Sequence, residues 1–213
     1  MNFNYLQHVK ITSILDIGAN QGQFAELARK LWPKTIIHSF EPLPQDFAIL
    51  EKRFEGDSAW YGHNVALSDV EGEVEFNVSS FTQSSSILEM GDLHKTTWPF
   101  SADNSKIKVK AITLDSIAPN ICTSNYLVKI DVQGAELKVI SGGINTIKNA
   151  AVCYIEASFF ELYIGQPLFF DIMKRMDELG FRYMGNAFGV LYSEINGLPL
   201  EEDSIYCRKG MFI

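Results

Sequence analysis

The chain has 213 residues, 46% hydrophobic and 21% charged, enough apolar material to bury a sizeable core, and a single domain over residues 1–213 is expected. Eighteen basic against 26 acidic side chains leave a net charge of −8, which argues against a nucleic-acid backbone or an anionic membrane as the main partner, because both need clustered Lys and Arg. Cys122, Cys153 and Cys207 are widely spaced and form neither a disulfide framework nor a CxxC pair, and the first residues lack a basic head followed by an apolar run, so a cytoplasmic protein without a membrane span is expected.

The first element is a short apolar run, Ser13–Ile17, that reads as a buried strand. After Asp16 the chain turns through Gly18, Asn20 and Gly22, where the glycines permit a tight backbone and close approach to a ligand. Phe24, Leu27, Ala28 and Leu31 then recur at helical spacing, so a helix over Gly22–Leu31 opens its unpaired N–H groups toward the loop. Strand, glycine loop and helix together have the form of a nucleotide site. Asn20 and Gln23 occupy positions that a G-x-G-x-x-G fingerprint fills with glycine, which favours a ligand other than NAD; an NAD-dependent oxidoreductase on a Rossmann domain is kept as an alternative.

A second strand, Thr35–Phe40, ends at Glu41, whose carboxylate can accept two hydrogen bonds from a ribose diol. A helix over Gln45–Phe54 follows Pro44, and a third strand is expected over Ala59–Ala66. Between Glu73 and Leu114 the alternation fails: Glu73–Val78 and Ile107–Ile112 read as extended segments around a Ser/Thr-rich loop carrying Ser84, Ser85, Ser86, His94, Trp98 and Phe100, expected to act as a lid or binding element. His94 is a candidate general base, although a solvated loop histidine is the commoner case; His38 lies inside a strand, His63 near the next loop and His8 near the N-terminus.

The strand Tyr126–Ile130 ends at Asp131, an acid that either faces a cleft or costs several kcal/mol in a buried place. Lys129 shares its strand face by the two-residue period and is a candidate ion-pair partner. A helix over Gly134–Asn149, with Gly142-Gly143 as a candidate break, a strand over Val152–Glu156 and a helix over Leu168–Leu179 complete an α/β pattern with a largely parallel sheet.

Six blocks, LDIGANQGQF (15–24), FEP (40–42), NVALSD (64–69), TLDS (113–116), KIDVQGAE (129–136) and IEAS (155–158), resemble in order and spacing the FkbM family of S-adenosylmethionine-dependent methyltransferases. The KID-x-x-GAE block after TLD is the more discriminating part, because the glycine loop is common to all class I methyltransferases. Gln133 departs from the family pattern, which commonly has Glu there.

The resemblance implies the Rossmann-like class I methyltransferase fold: a seven-stranded, mostly parallel sheet in the order 3-2-1-4-5-7-6, the last strand antiparallel, with helices on both faces and the 73–114 segment as an insertion. Ligands in such sheets lie outside the carboxyl ends of the strands where the order reverses. It further implies S-adenosyl-L-methionine as cofactor and S-adenosyl-L-homocysteine as product. Asp16 would serve the loop and the methionine amine, Gly18, Asn20 and Gly22 the sulfonium and carboxylate, Glu41 the ribose hydroxyls, and Asn64 and Ala66 the adenine edge, Asn64 reading equally as a turn-capping amide.

The fourth and fifth strands would pair, bringing Glu156 beside Asp131 in an arrangement suited to shared-proton chemistry or to Mg²⁺; with no third acid of clear ligand spacing, no metal is expected. The implied reaction is O-methylation of a hydroxyl on a sugar or polyketide-like small molecule, a glycan among the candidates, with Asp131 the first choice of base and Glu156 and His94 behind it. A non-catalytic cofactor-binding protein is the other alternative, and self-association is left open.

Overall fold

The computed structural model describes residues 6, 9–122 and 124–211, so His8 lies outside the described residues. In chain order the elements are β1 (Ser13–Ile17), α1 (Gln23–Leu31), β2 (Ile36–Phe40), α2 (Pro44–Arg53), β3 (Trp60–His63), β4 (Ala66–Leu67), β5 (Gly72–Ser79), α3 (Asp92–Thr97), β6 (Asn104–Ile112), α4 (Leu114–Ile117), β7 (Tyr126–Ile130), α5 (Glu136–Gly142), α6 (Ile144–Asn149), β8 (Val152–Ser158), α7 (Phe169–Glu178), β9 (Phe181–Tyr192) and β10 (Pro199–Arg208).

Seven strands form one sheet in the order β3-β2-β1-β7-β8-β10-β9. The neighbours from β3 to β8 pair in parallel and β10 runs antiparallel to β8, so the implied order and the reversed last strand are both present. Every residue of β1 and β7 is buried, as parallel strands covered on both faces require. Alternate residues serve two cores: Leu15, Ile17, Val128 and Ile130 pack toward α5, α6 and α7, while Ile14 and Leu127 pack with Ala25, Ala28 and Leu50 of α1 and α2. The chain reverses its direction of travel across the sheet between β1 and β7, and that junction is where a parallel sheet leaves a crevice.

The structure corrects the expected elements in three places. The run Ala59–Ala66 is not one strand: β3 stops at His63, the chain turns, and Ala66–Leu67 pair instead with Ala111–Ile112 in a separate three-stranded sheet, β4-β6-β5. The extended segments around the Ser/Thr-rich stretch pair antiparallel as β5 and β6, and the stretch between them is a wall containing α3 and two single-turn 3₁₀ segments rather than an open loop. The helix expected over Gly134–Asn149 is two, because α5 ends at Gly142 and α6 begins at Ile144.

The last residue of α5 is tightly packed. A Cβ on Gly142 would stand 2.0 Å from the Ser68 carbonyl oxygen, so the end of α5 lies directly on the backbone after β4. Gly142→Ala should therefore destabilise the protein by at least about 1–3 kcal/mol, the cost of overpacking a site that cannot relax. Urea unfolding reads this, and an unchanged midpoint would show that the contact is not closely packed.

Candidate active site

The carboxyl ends of β1, β2, β7 and β8 and the amino end of the antiparallel β10 open into a cavity of about 680 Å³, large enough for a nucleoside-sized ligand together with a small acceptor. Its floor is the glycine loop. Gly18, at φ +75°, comes so close to the end of β7 that a Cβ there would stand 1.7 Å from the Asp131 carbonyl oxygen. Only glycine fits, and the contact places the loop and Asp131 on one rim. Asn20 also takes a left-handed backbone (φ +46°), which turns its N–H toward the end of β2.

Glu41 receives that N–H on Oε2 at 2.8 Å and the Leu43 N–H on Oε1 at 2.8 Å. Two backbone donors fix its carboxylate in the cavity wall while each oxygen keeps a lone pair for a ligand hydroxyl. Burial pushes its pKa up to about 7, against the pull of the Leu43 and Asn20 donors. Beyond it Phe40, Leu43, Ala66, Leu67, Phe76 and Ile87 line an apolar slot.

Three of the expected site residues stand behind the cavity rather than in its lining. Asp16 lies wholly buried in the body of β1, taking a hydrogen bond from Ser39 Oγ at 3.2 Å and standing 3.5 Å from Lys129 Nζ. Asn64 donates its amide to the carbonyls of Glu41 and Pro42 at 2.8 and 3.1 Å, so it caps the turn that carries Glu41. Gly22 is the left-handed N-cap of α1, packed where a Cβ would stand 2.8 Å from both Leu50 and Phe54.

Lys129 joins these parts. Its ammonium, with a side chain only 5% exposed, donates to the Gly18 carbonyl at 2.6 Å and stands 3.5 Å from Asp16 Oδ1 and 3.4 Å from Asp131 Oδ2. Burial works to lower its pKa, but the carboxylates of Asp131, Asp16 and Glu156 outweigh burial and hold it charged, above the usual lysine value. Asp16 is raised by burial in spite of the lysine.

The far half of the cavity is acidic and aromatic. Asp131, Glu156, Glu201 and Asp203 line it from β10, β8 and the end of β7, and Phe81, Trp98, Phe100 and Phe188 flank it. Glu156 is raised well above the usual range by burial and then by Asp131; burial followed by Asp131 also raises Glu201 to about 8 and Asp203 to about 6. Gln133 Nε2 lies 3.0 Å from Asp131 Oδ1 and 2.7 Å from Glu156 Oε2, so the two expected neighbours meet through an amide.

His94 is not a solvated loop residue. It is 2% exposed, its Nε2 stands 3.2 Å from the Tyr163 hydroxyl, and burial lowers its pKa to about 4, so it is neutral at pH 7 and a weak proton acceptor. Glu201 and Asp203 are absent from the sequence reading because the polar run Glu201-Glu202-Asp203-Ser204 interrupts the apolar residues of β10. The signal available was the two-residue spacing of Glu201 and Asp203, which puts both on one strand face.

Residues 16–183 match the methyltransferase FkbM domain. The chain belongs to that family. It is 32% identical over 161 residues to the 2-O-methyltransferase NoeI of Sinorhizobium fredii (strain NBRC 101917 / NGR234), a match covering 72% of this chain and 66% of that protein, so the chain spans just under two thirds of the relative's length. Among solved structures, the fold resembles magnesium protoporphyrin IX methyltransferase from Synechocystis PCC 6803 with bound S-adenosylmethionine (TM-score 0.53, 8% identity, 96% of this chain and 74% of that one). It also resembles the Methanococcus jannaschii fibrillarin pre-rRNA processing protein (TM-score 0.52, 11% identity, 94% and 68%). At these identities the two structures establish the fold alone, that of class I S-adenosylmethionine-dependent methyltransferases.

S-adenosylmethionine, the cofactor of this family, fits the residues present: an anchored carboxylate with free lone pairs at the end of β2, an apolar slot beside it, and the opening turn of α1 across the loop. Glu41→Ala should weaken S-adenosylhomocysteine binding by about 1–3 kcal/mol, the range for losing charge-assisted hydrogen bonds in a buried site. Burial holds the Glu41 pKa up at about 7, and only its carboxylate form could accept from both hydroxyls of a bound ribose. Affinity should accordingly rise between pH 6 and 8 in the native protein and stay flat in Glu41→Gln. Calorimetry across that window checks both, and unchanged affinity in Glu41→Ala would remove Glu41 from the site.

Proposed function

We propose that the protein transfers a methyl group from S-adenosylmethionine to a hydroxyl oxygen of a small, neutral, hydroxyl-bearing acceptor, a sugar or polyketide-like compound. The observation that carries this reading is the placement of Asp131. Its side chain is 32% exposed toward the cavity, across the glycine loop from Glu41, and both of its oxygens are already oriented by Lys129 and Gln133. The name of the S. fredii relative, a 2-O-methyltransferase, supports oxygen as the acceptor atom.

In this reading Glu41 holds the ribose hydroxyls, Gly18 and Asn20 shape the loop against the methionine end, and Ala66 bounds the adenine slot. Asp16 and Asn64 act from behind, Asp16 through Lys129 and Asn64 through the turn that carries Glu41. The bound cofactor supplies a methyl on a sulfonium that is its own leaving group, so the protein's work is alignment and removal of one proton. Asp131 accepts the hydroxyl proton on a lone pair facing the cavity, and Lys129 stabilises its carboxylate until then. Glu156, raised by burial and by Asp131, suits a hydrogen-bonding partner for a second acceptor hydroxyl better than a base. The aromatic rim of Phe81, Trp98, Phe100 and Phe188 offers flat apolar faces to a ring, and the surrounding carboxylates disfavour an anionic acceptor.

Methyl transfer from labelled S-adenosylmethionine, screened over glycosides and polyketide-like alcohols, tests the reaction. On the acceptor so found, Asp131→Asn should cut turnover by about 10²–10⁴-fold, the range for losing general-base help, and leave S-adenosylhomocysteine affinity nearly unchanged. EDTA should leave the native rate intact. Near-native turnover in Asp131→Asn would exclude Asp131 as the base, and a loss reversed by Mg²⁺ would make the acids metal ligands instead.

A further inference from the structure

The stretch between β7 and α5 is held more firmly than a connecting turn needs. Gln133 has a left-handed backbone (φ +56°) and Gly134 another (φ +93°). Glu136 Oε1 accepts the N–H groups of Val132 and Gly134 at 3.2 and 3.0 Å, and Ser86 Oγ donates to the Gln133 carbonyl at 2.7 Å. A non-glycine residue in the left-handed region is strained, and here surrounding bonds maintain it. The result is that the Gln133 side chain folds back over the strand ends instead of pointing to solvent.

There its amide is fully used. The two Nε2 hydrogens reach Asp131 Oδ1 at 3.0 Å and Glu156 Oε2 at 2.7 Å, and Oε1 takes the Tyr163 hydroxyl at 2.8 Å. Only the NH₂ end of an amide can face two carboxylates, so the orientation follows from the chemistry. Lys129 binds the other oxygen of Asp131, at 3.4 Å.

We propose that Gln133 is a positioning residue for methyl transfer: its amide splints Asp131 to Glu156, fixes the carboxylate that takes the acceptor's proton, and offsets the repulsion between the two acids. This rests on the reading of Asp131 as the base. Two carboxylates on neighbouring strand ends with no donor between them cannot both stay charged at small cost. The other groups around Glu156 do not replace the amide. Glu201 and Asp203 from β10 and Glu136 from α5 are acids, and each pushes the Glu156 pKa further up. Lys129, the one cation of β7 facing it, is shared with Asp16 of β1 and with Asp131. Tyr154 and Tyr163 keep their hydroxyl protons, but Tyr154 is hydrogen-bonded to Asp203, the single Tyr163 proton is directed to Gln133 Oε1 or the Ser84 carbonyl, and the imidazole of His94 beside Tyr163 is neutral. Gln133 is thus the donor that bridges the two acids.

The test replaces Gln133 by methionine, which has a similar length and no donor. ¹³C-carboxyl NMR of the full-length protein saturated with S-adenosylhomocysteine follows the titration of Glu156 without needing an acceptor. The Glu156 midpoint should rise by about one pH unit or more in Gln133→Met, the usual size of losing one such donor. Should Gln133→Met fail to fold, Gln133→Asn, which tolerates the left-handed backbone but is one methylene too short, should shift the midpoint in the same direction. A purely structural role would lower the unfolding temperature and leave the midpoint in place, and that result would overturn the proposal. Turnover supplies the second arm: the rate loss from Gln133→Met should vanish in an Asp131→Asn background, because the amide acts through Asp131. An equal loss in both backgrounds would refute positioning, whereas a fast Asp131→Asn enzyme would refute the base assignment while the NMR result still stands.

Discussion

Lys129 puts a full positive charge where three segments meet: Asp16 inside β1, the Gly18 carbonyl of the loop, and Asp131 at the end of β7. An ammonium so deeply buried costs several kcal/mol unless anions and carbonyls surround it, and the fold brings them there through one register, Asp16 opposite Lys129 in the β1–β7 ladder. A slip of that register by one residue would turn Lys129 into the apolar core and Asp131 away from the cavity. The buried charge therefore specifies the alignment of the two central strands as much as it stabilises them.

From that alignment the cavity follows. The ends of β1 and β7 finish level, the Asp131 N–H bonds the Ile17 carbonyl, and Gly18 turns against the Asp131 backbone. The loop then runs to α1 on one side while Glu41 closes the other by taking the Asn20 N–H. The two halves of the cavity are set apart by charge: an apolar slot with one anchored carboxylate on the β2 side, and several carboxylates among aromatic rings on the β8–β10 side. A cationic sulfonium placed between them, as proposed, would be held by field rather than by one dedicated contact, a form of electrostatic preorganisation.

Much of the first half was legible in the sequence because it is written in local signals. Glycines at 18 and 22, the apolar runs of β1, β2 and β7, and the acids that end those runs each follow from strand length and turn chemistry. The pairing of Lys129 with Asp131 follows from the two-residue period, but the role of Asp16 as the third member needs the β1–β7 register, a contact across more than a hundred residues. Asn64 was legible as a turn cap and was also read as an adenine contact; its amide reaches two carbonyls of the Glu41 turn. His94 reads as solvated from its Ser/Thr-rich surroundings, whereas α3 packs it under Trp98 and Tyr163. The acids of β10 are hidden because Glu201-Glu202-Asp203-Ser204 splits its apolar residues, so the segment reads as a polar loop.

The central claim is that the crevice between Glu41 and Asp131 holds the cofactor with its methyl-bearing end toward the acids. A crystal structure of the protein with S-adenosylhomocysteine tests it most directly. The account predicts both ribose hydroxyls within hydrogen-bond distance of the Glu41 carboxylate and the sulfur on the Asp131 side of the Gly18 loop. An adenosine bound with Glu41 unengaged, or with its sulfur turned away from Asp131, would contradict it.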